Sequence, residues 1–151
     1  MKVEEQPRKV DGLPENSVVS QIAGGLHHSV ALLSDGTVFS WGESRQGQLG
    51  YSRDKTRGEK RLMGGCAVDA SNVVPTPQRI FRLDQFQVVQ VACGDFHTLV
   101  LTSDWEIWSF GLGTCGRLGH GDIKFGETSG AQNDHHYVGE VAGLTSVLKY
   151  N

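Results

Sequence analysis

One 32-residue stretch of this chain occurs twice, and the second copy begins 69 positions after the first. Residues 19–50 align with residues 88–119 without a gap. The residue is identical in 13 of the 32 aligned pairs, whereas average amino-acid usage would give about two matches. A fixed internal period is typical of proteins built from stacked, similar structural units. The sequence therefore predicts two equivalent units.

Each copy is predicted to form three short strands separated by turns. The spacing of apolar residues and glycines gives the candidate strands 19–23, 28–33, 37–41, 88–92, 97–102 and 106–110. Asp35-Gly36 predicts a two-residue type I′ hairpin turn, because such a turn needs positive φ at both central positions. Asp104-Trp105 occupies the matching place. Since tryptophan disfavours positive φ, we expect a different or looser turn there.

In the third strand of each copy, successive side chains point to opposite faces, so that large side chains lie on one face and smaller ones on the other. The large ones are Phe39, Trp41, Trp108 and Phe110, and the smaller ones opposite are Val38, Ser40, Ile107 and Ser109. Neither face is charged, which predicts small sheets stacked face to face. Two stacked sheets have only one mutual interface, so an apolar face of each unit stays open. We therefore expect self-association through these open faces.

A weaker pattern, Pro-x-x-apolar-x-x-Leu, predicts a fourth strand in each unit. It occurs at Pro7, Val10 and Leu13, again at Pro77, Ile80 and Leu83, and without the proline at Val138, Val141 and Leu144. Proline is tolerated on the edge strand of a sheet but not in its interior. The fourth strand is therefore predicted to be the outer one.

The repeated motifs resemble the repeat of the regulator of chromosome condensation family. The resemblance rests on Ala23-Gly24-Gly25-Leu26-His27-His28-Ser29-Val30-Ala31-Leu32, on Val38-Phe39-Ser40-Trp41-Gly42, and on their second copies at 92–101 and 107–111. Its structural positions are Gly25, His28, Trp41, Gly42, Gly94, His97, Phe110 and Gly111. The resemblance implies an all-β fold, a partial β-propeller of four-stranded antiparallel blades over residues 1–151.

These boundaries divide the chain into two repeats and two insertions. We expect blade-like repeats at 7–50 and 75–119, a basic insertion at 51–74, a polar insertion at 120–137, and the start of a third repeat at 138–151. Within residues 53–61 the basic insertion carries Arg53, Lys55, Arg57, Lys60 and Arg61 against two acidic residues. Loops displayed by a rigid scaffold often carry recognition, so these five residues are the candidate partner-binding site. Two solvated loops without a binding role are the alternative interpretation.

The sequence does not favour a catalytic or metal-binding motif. His28 and His97 recur at one repeat position and are expected to tie their strands to neighbouring backbone groups, while His135-His136 lies in a polar loop. Cys93 is four residues from His97 but replaces a glycine of the first copy, which indicates packing rather than reaction. Gly111-Leu112-Gly113 with Gly116 matches a dinucleotide pattern but leads to no predicted helix. We expect no catalytic, metal or cofactor site.

The overall composition adds limits on partners and location. A net charge of −3 over 151 residues offers no broad basic surface for nucleic acid or a membrane, and the N-terminus has no secretory signal core. Three cysteines without a close pair suit a reducing compartment, which predicts a cytoplasmic or nuclear location.

Several activities are known for the family that the motifs resemble, and they imply different functions for this chain. They include nucleotide exchange on a Ran-type GTPase, UV-B sensing, and accessory or scaffolding roles in ubiquitin ligases and other regulators. The photoreceptor's Gly-Trp-Arg-His-Thr motif has Leu26 and Asp95 at its tryptophan positions here. The leading interpretation is a non-enzymatic protein-interaction or regulatory module that binds a small GTPase or a ubiquitin-pathway component. Guanine-nucleotide exchange on a Ran-type GTPase is the alternative.

Overall fold

A computed structural model describes residues 5–51 and 72–120 in full and residues 139–140 as backbone. This part of the chain forms two four-stranded antiparallel sheets, with strand orders β1-β2-β3-β4 and β5-β6-β7-β8. The strands are β1 Val19–Gly24, β2 His28–Leu33, β3 Val38–Glu43, β4 Val73–Arg79, β5 Val88–Cys93, β6 His97–Thr102, β7 Ile107–Gly111 and β8 Gly139–Glu140. The all-β prediction is confirmed. No helix in the described ranges is long and apolar enough to cross a membrane.

The two sheets repeat each other in register, as the sequence predicted. Trp41 pairs with Ser29 in the first sheet, and Phe110 pairs with Thr98 at the same place in the second. Both inner strands carry an irregularity at the same point, between Val19 and Gln21 and between Val88 and Gln90. The three strands of the two 32-residue copies are therefore structural equivalents in register.

The fourth strand follows the insertion instead of preceding the repeat. β4 is an outer strand and contains Pro75 and Pro77, so the expectation of prolines at the sheet edge is confirmed. Residues 7–13 contain no strand. Ile80 lies just after β4, and Leu83 is the last residue of a short 3₁₀ helix, Phe81–Leu83. Both side chains are buried in the core. The first sheet thus spans residues 19–79 and differs from the sequence repeat 7–50 by one strand.

The hairpin turns contradict both sequence predictions. In the first, Gly36 donates its N–H to Leu33 and has φ +86°, but Asp35 does not have positive φ. This is a type I turn with a left-handed residue after it, a longer loop than a type I′ turn. Trp105 occupies the position of Gly36 with φ +66°. The second turn is therefore the same as the first, because the flanking strand register requires it.

The core lies between the two sheets. Alternation and register place Val30, Leu32 and Val38 on the face of the first sheet that meets the second sheet. The second sheet contributes the opposite set of its residues, among them Val91, Val100 and Phe110. The segments that follow β3 and β4 fill the space between, through Leu49, Tyr51, Ile80 and Leu83. Each sheet thus packs with a different one of its two faces.

The antiparallel order gives the molecule two rims. The insertion rim holds the turns 24–28 and 94–97 and the ends of β3 and β4 on either side of the first insertion, where Ser44 donates to the Asn72 carbonyl over 2.9 Å. The hairpin rim lies at the opposite strand ends and holds the turns 34–37 and 103–106 and the connection 80–87. The Ser103 N–H donates to the Gln87 carbonyl and so joins the second of these turns to the connection.

Candidate functional site

The predicted partner-binding residues lie outside the described residues. They are Arg53, Lys55, Arg57, Lys60 and Arg61. The described part does contain Tyr51 and His120, the first residues of the two predicted insertions. The Tyr51 hydroxyl lies 2.9 Å from Ser40 Oγ, and His120 Nε2 lies 2.8 Å from Ser109 Oγ, at equivalent places. Both insertions therefore begin at the same point of their sheets.

A buried hydroxyl network fixes that starting point. Ser40 Oγ donates to the Leu49 carbonyl over 2.8 Å, and Ser109 Oγ donates to the Leu118 carbonyl over 2.7 Å. The Tyr51 hydroxyl also lies within hydrogen-bond distance of the backbone oxygens of Ser40 (2.7 Å) and Gln78 (2.8 Å). The segment after β3 is thus tied back to its own sheet before the insertion starts.

His28 joins the two sheets and is held neutral. Its Nε2 lies 3.0 Å from Thr98 Oγ1, whose single proton is donated to the Gln48 carbonyl over 2.9 Å. Nε2 must therefore carry the ring proton and donate it to Thr98. Burial, and secondarily the charge of His97, lower the pKa of His28 to about 4. The prediction of a structural histidine agrees with this geometry, but the partner is a side-chain hydroxyl rather than a backbone group.

Glycines leave the room that these histidines need. A β-carbon on Gly25 would overlap the ring of His28, and one on Gly94 would overlap the ring of His97. Gly42 and Gly111 have φ of +106° and +118° and lie against the backbone before each histidine. The repeated glycine and histidine positions therefore form one packing unit in each sheet. Their recurrence requires no ligand.

A second link between the sheets was not foreseen from the sequence. The carboxamide of Gln21 donates to the Val91 carbonyl and accepts from the Val91 N–H, both over 2.9 Å. This binds the inner edge of β5, beside which the described residues form no further strand. A backbone bond of 3.1 Å from Leu26 to Asp95 joins the adjacent turns. The signal was present in the repeat, since Gln21 and Gln90 are an identical pair.

The cysteine at the end of β5 has the properties of a packing residue. Burial raises the pKa of the Cys93 thiol, against a smaller opposing effect of Thr98. Its Sγ lies 4.0 Å from Thr98 Oγ1. A thiol that keeps its proton is a poor nucleophile. The glycines after β7 lead to a 3₁₀ turn of three residues, Thr114–Gly116, which offers no helix for phosphate binding.

The hairpin rim carries an open aromatic cleft of about 350 Å³. It is lined by Phe81, Arg82, Asp84, Gln85, Phe86 and Trp108. Phe86 and Trp108 pack with ring centroids 4.4 Å apart, and Phe81 is half exposed. Arg79 bonds Asp84 over 2.9 Å and lies 5.7 Å from the centre of the Phe81 ring. The two phenylalanines in the polar connection 80–87 are the sequence signal that would have found it.

Metal-ligating side chains do not cluster in the described ranges. No group of three or more histidine, cysteine, aspartate or glutamate residues there is placed to hold a metal ion. The remaining candidates, His135 and His136, lie outside those ranges.

Comparison with known proteins gives a consistent family match. Two models of the regulator of chromosome condensation (RCC1) repeat match this chain, one over residues 35–101 and the other over 19–48 and 88–117. Among curated proteins, the human probable E3 ubiquitin-protein ligase HERC3 is 35% identical over 117 residues, which is 78% of this chain and 9% of the ligase. The ultraviolet-B receptor UVR8 of Arabidopsis thaliana is 35% identical over 116 residues, 77% of this chain and 22% of the receptor.

A solved structure extends the match to the fold. The crystal structure of Prp20p from Saccharomyces cerevisiae, described with its binding properties to Gsp1p and histones, superposes with a TM-score of 0.69. It is 24% identical, and the match covers 93% of this chain and 30% of Prp20p. The chain thus spans less than a third of each of these three proteins.

Proposed function

The chain belongs to the regulator of chromosome condensation (RCC1) repeat family, and on that premise we propose that it is a non-enzymatic protein-interaction module whose partner binds the insertion rim. The supporting observation is that two reactive side chains of the repeats, His28 and Cys93, are taken up in packing. His28 is bonded to Thr98, and burial keeps the proton on the Cys93 thiol. What remains available for function is the surface that this scaffold displays.

The basic insertion supplies the partner-binding chemistry of this proposal. Its five basic residues stand in a chain of net charge −3, so they form a local field opposite in sign to the whole. Such a field steers association with an acidic protein surface. We place the partner among small GTPases and ubiquitin-pathway components, in the cytoplasm or nucleus, where free thiols such as Cys93 and Cys115 persist.

Charge reversal on the insertion rim tests this assignment. The probes are a purified Ran-type GTPase and a purified ubiquitin-conjugating enzyme, with binding measured at about 50 and 300 mM salt. Changing Arg53, Arg57 and Lys60 together to glutamate should weaken binding about tenfold at the lower salt and less at the higher. Phe81→Ala on the hairpin rim is the matched control. Binding that is lost in the control but kept after charge reversal would overturn the rim assignment, and no binding to either probe would remove both partner classes.

Nucleotide exchange on a Ran-type GTPase is the competing function, and it makes a different prediction. An exchange factor accelerates nucleotide release at substoichiometric amounts, whereas a binding module does not. Release of a fluorescent GDP analogue from the GTPase, with one part of this chain to about a hundred parts of GTPase, separates the two. Release at the spontaneous rate agrees with the module, and a clear acceleration would favour the exchange factor.

A further inference from the structure

Two serines occupy the same exposed corner of the two hairpin turns. Ser34 and Ser103 each follow the second strand of their sheet, and each donates its backbone N–H over 2.8 Å to the residue before the first strand, Val18 or Gln87. Both side chains are exposed, and neither hydroxyl makes a hydrogen bond within the described ranges. Ser34 is exposed although the second sheet packs on the first. This corner of the turn is therefore open to solvent even where a neighbouring sheet is present.

The two turns use different acceptors for the same backbone N–H. In the first turn, the Asp35 carboxylate accepts the N–H of Thr37 over 2.9 Å. In the second turn, the Thr102 hydroxyl accepts the N–H of Glu106 over 3.2 Å. Asp104 stands where Asp35 does and is exposed, and its carboxylate makes no hydrogen bond within the described ranges. The second turn thus leaves free a carboxylate that the first turn uses.

The charges that follow the two serines also differ. Ser103 is followed by a carboxylate at the next residue, Asp104, and by another at the third residue, Glu106. At the third residue after Ser34 the chain has Thr37, which is uncharged. Kinases select a hydroxyl by the charges that flank it, and opposite charge steers the encounter. A serine followed by two carboxylates suits a kinase with a basic substrate groove.

Backbone strain makes the second turn easier to open than the first. Trp105 is held at φ +66°, where the first turn has Gly36 at φ +86°. A residue other than glycine is strained in this region, and local opening releases the strain. A kinase binds its substrate as a short extended segment, so the turn must open to deliver the hydroxyl. Strain at Trp105 lowers the free energy of that opening.

We propose that Ser103 is a phosphorylation site for an acid-directed serine kinase. The kinase transfers the γ-phosphoryl group of MgATP to Ser103 Oγ. The bond from the γ-phosphorus to the bridging oxygen breaks and leaves ADP, the bond to Oγ forms, and the hydroxyl proton passes to the catalytic base of the kinase. The phosphate adds about 1.5 to 2 negative charges beside Asp104 and Glu106, and their repulsion loosens the turn. The inference is independent of the partner proposed for the insertion rim.

Phosphorylation of the whole folded chain tests the site. The probe is purified casein kinase, an acid-directed serine kinase, with MgATP, and mass spectrometry of proteolytic fragments locates the phosphate. Ser103 should be modified at least about tenfold faster than Ser34. Glu106→Gln should slow the reaction at Ser103 about tenfold and Asp104→Asn about threefold, since each removes a charge that the kinase recognises. Ser103→Ala should remove this phosphate altogether.

Thr37→Glu in the first turn is the matched gain-of-function variant. It gives Ser34 the carboxylate that Glu106 gives Ser103, so the rate at Ser34 should rise several-fold while the rate at Ser103 stays the same. Equal rates at the two serines in wild type would overturn the site. So would a folded chain without phosphate at Ser103, or a rate at Ser103 that changes in neither Glu106→Gln nor Asp104→Asn.

Amide hydrogen exchange measures the effect of the phosphate on the turn. The Trp105 N–H donates to the Thr102 carbonyl over 3.0 Å and closes the turn. In the phosphorylated chain this N–H should exchange about tenfold faster, because the turn opens more often. The Gly36 N–H of the first turn is the internal control and should exchange at an unchanged rate. Slower exchange at Trp105 would show that the phosphate finds a cationic partner and locks the turn, which would overturn the loosening.

Discussion

Leu32 and Leu101 occupy the same position in the two sheets and have different surroundings. Each is the fifth residue of its sheet's second strand, and they pair with Val38 and Ile107 in the same register. Leu32 is 2% exposed because the second sheet covers it, whereas Leu101 faces away from the first sheet and is partly exposed. The backbone is the same, so the difference comes from the neighbouring sheet. In this fold a strand's sequence places an apolar side chain on one face of its sheet. That side chain becomes buried only when a neighbouring sheet packs on the same face.

The two histidines extend the comparison to polar groups. His28 is 3% exposed and bonded to Thr98, and its pKa falls to about 4. His97 is half-buried, and its pKa is lowered chiefly by partial burial and then by the charge of Arg117, against an opposing effect of Asp95. The same residue type is thus a fixed link in one sheet, whereas in the other it makes no hydrogen bond within the described ranges.

Truncating the two leucines should give the largest contrast. Leu32→Ala is expected to lower the free energy of unfolding by about 3 to 4 kcal/mol, because it removes a buried side chain and leaves a cavity. Leu101→Ala should lower it by about 1 kcal/mol, since less of that side chain is buried. Urea denaturation of both variants at one low protein concentration measures both losses. Equal losses would show that Leu101 is covered as fully as Leu32 in the folded chain.

Acid should weaken the contact between the sheets through His28. A histidine whose folded pKa is about 4 contributes its full stabilisation above the unfolded pKa of about 6.5 and loses it as pH falls through both values. The free energy of unfolding should drop by about 3 kcal/mol between pH 7 and pH 4 through this residue. His28→Gln should flatten this part of the pH profile, and His97→Gln should change it less. The same slope in wild type and His28→Gln would contradict the assignment.

Gln21 and Gln90 form a second matched pair, for which we expect a smaller difference in the free energy of unfolding. Gln21→Ala removes two hydrogen bonds to Val91 and should cost about 1 to 2 kcal/mol. Gln90→Ala changes an exposed side chain and should cost at most about 0.5 kcal/mol. Thermal unfolding of both variants at one low concentration gives the comparison. A larger loss for Gln90→Ala would mean that this side chain has a partner within its own chain.

Sequence periodicity predicted the features that a single sheet determines, and it missed the contacts between the two sheets. The three repeated strands of each sheet and the equivalence of Trp41 and Phe110 follow from local alternation and from the repeat, whereas the fourth strand was misplaced. The bonds from Gln21 to Val91 and from His28 to Thr98 cross between sheets, and no local pattern identifies such partners. The aromatic cleft was missed because it joins Trp108 on β7 to Phe86 in the connection 80–87, which are distant in sequence.

The turn at Trp105 was predicted wrongly because local preference was given too much weight. Tryptophan disfavours positive φ, yet the bonds from Trp105 to Thr102 and from Thr102 to Glu106 repeat those of the first turn. The register of β6 and β7 fixes where the chain must reverse. Tertiary pairing therefore overrides the residue's own preference at a modest cost in strain.

Changes in this backbone strain should have the smallest effect on the free energy of unfolding. Trp105 and Gly36 form the matched pair. A non-glycine residue in the left-handed region costs about 1 to 2 kcal/mol, and glycine in its place loses about 0.5 to 1 kcal/mol through greater freedom of the unfolded chain. Trp105→Gly should therefore raise the free energy of unfolding by about 0.5 kcal/mol, because the side chain is 52% exposed and little packing is lost. Gly36→Ala, at φ +86° and against the Gln87 side chain, should lower it by about 1 kcal/mol. Urea denaturation in parallel resolves the opposite signs, and a destabilised Trp105→Gly would mean that the indole packs on a surface that stabilises the second hairpin more than its backbone strain costs.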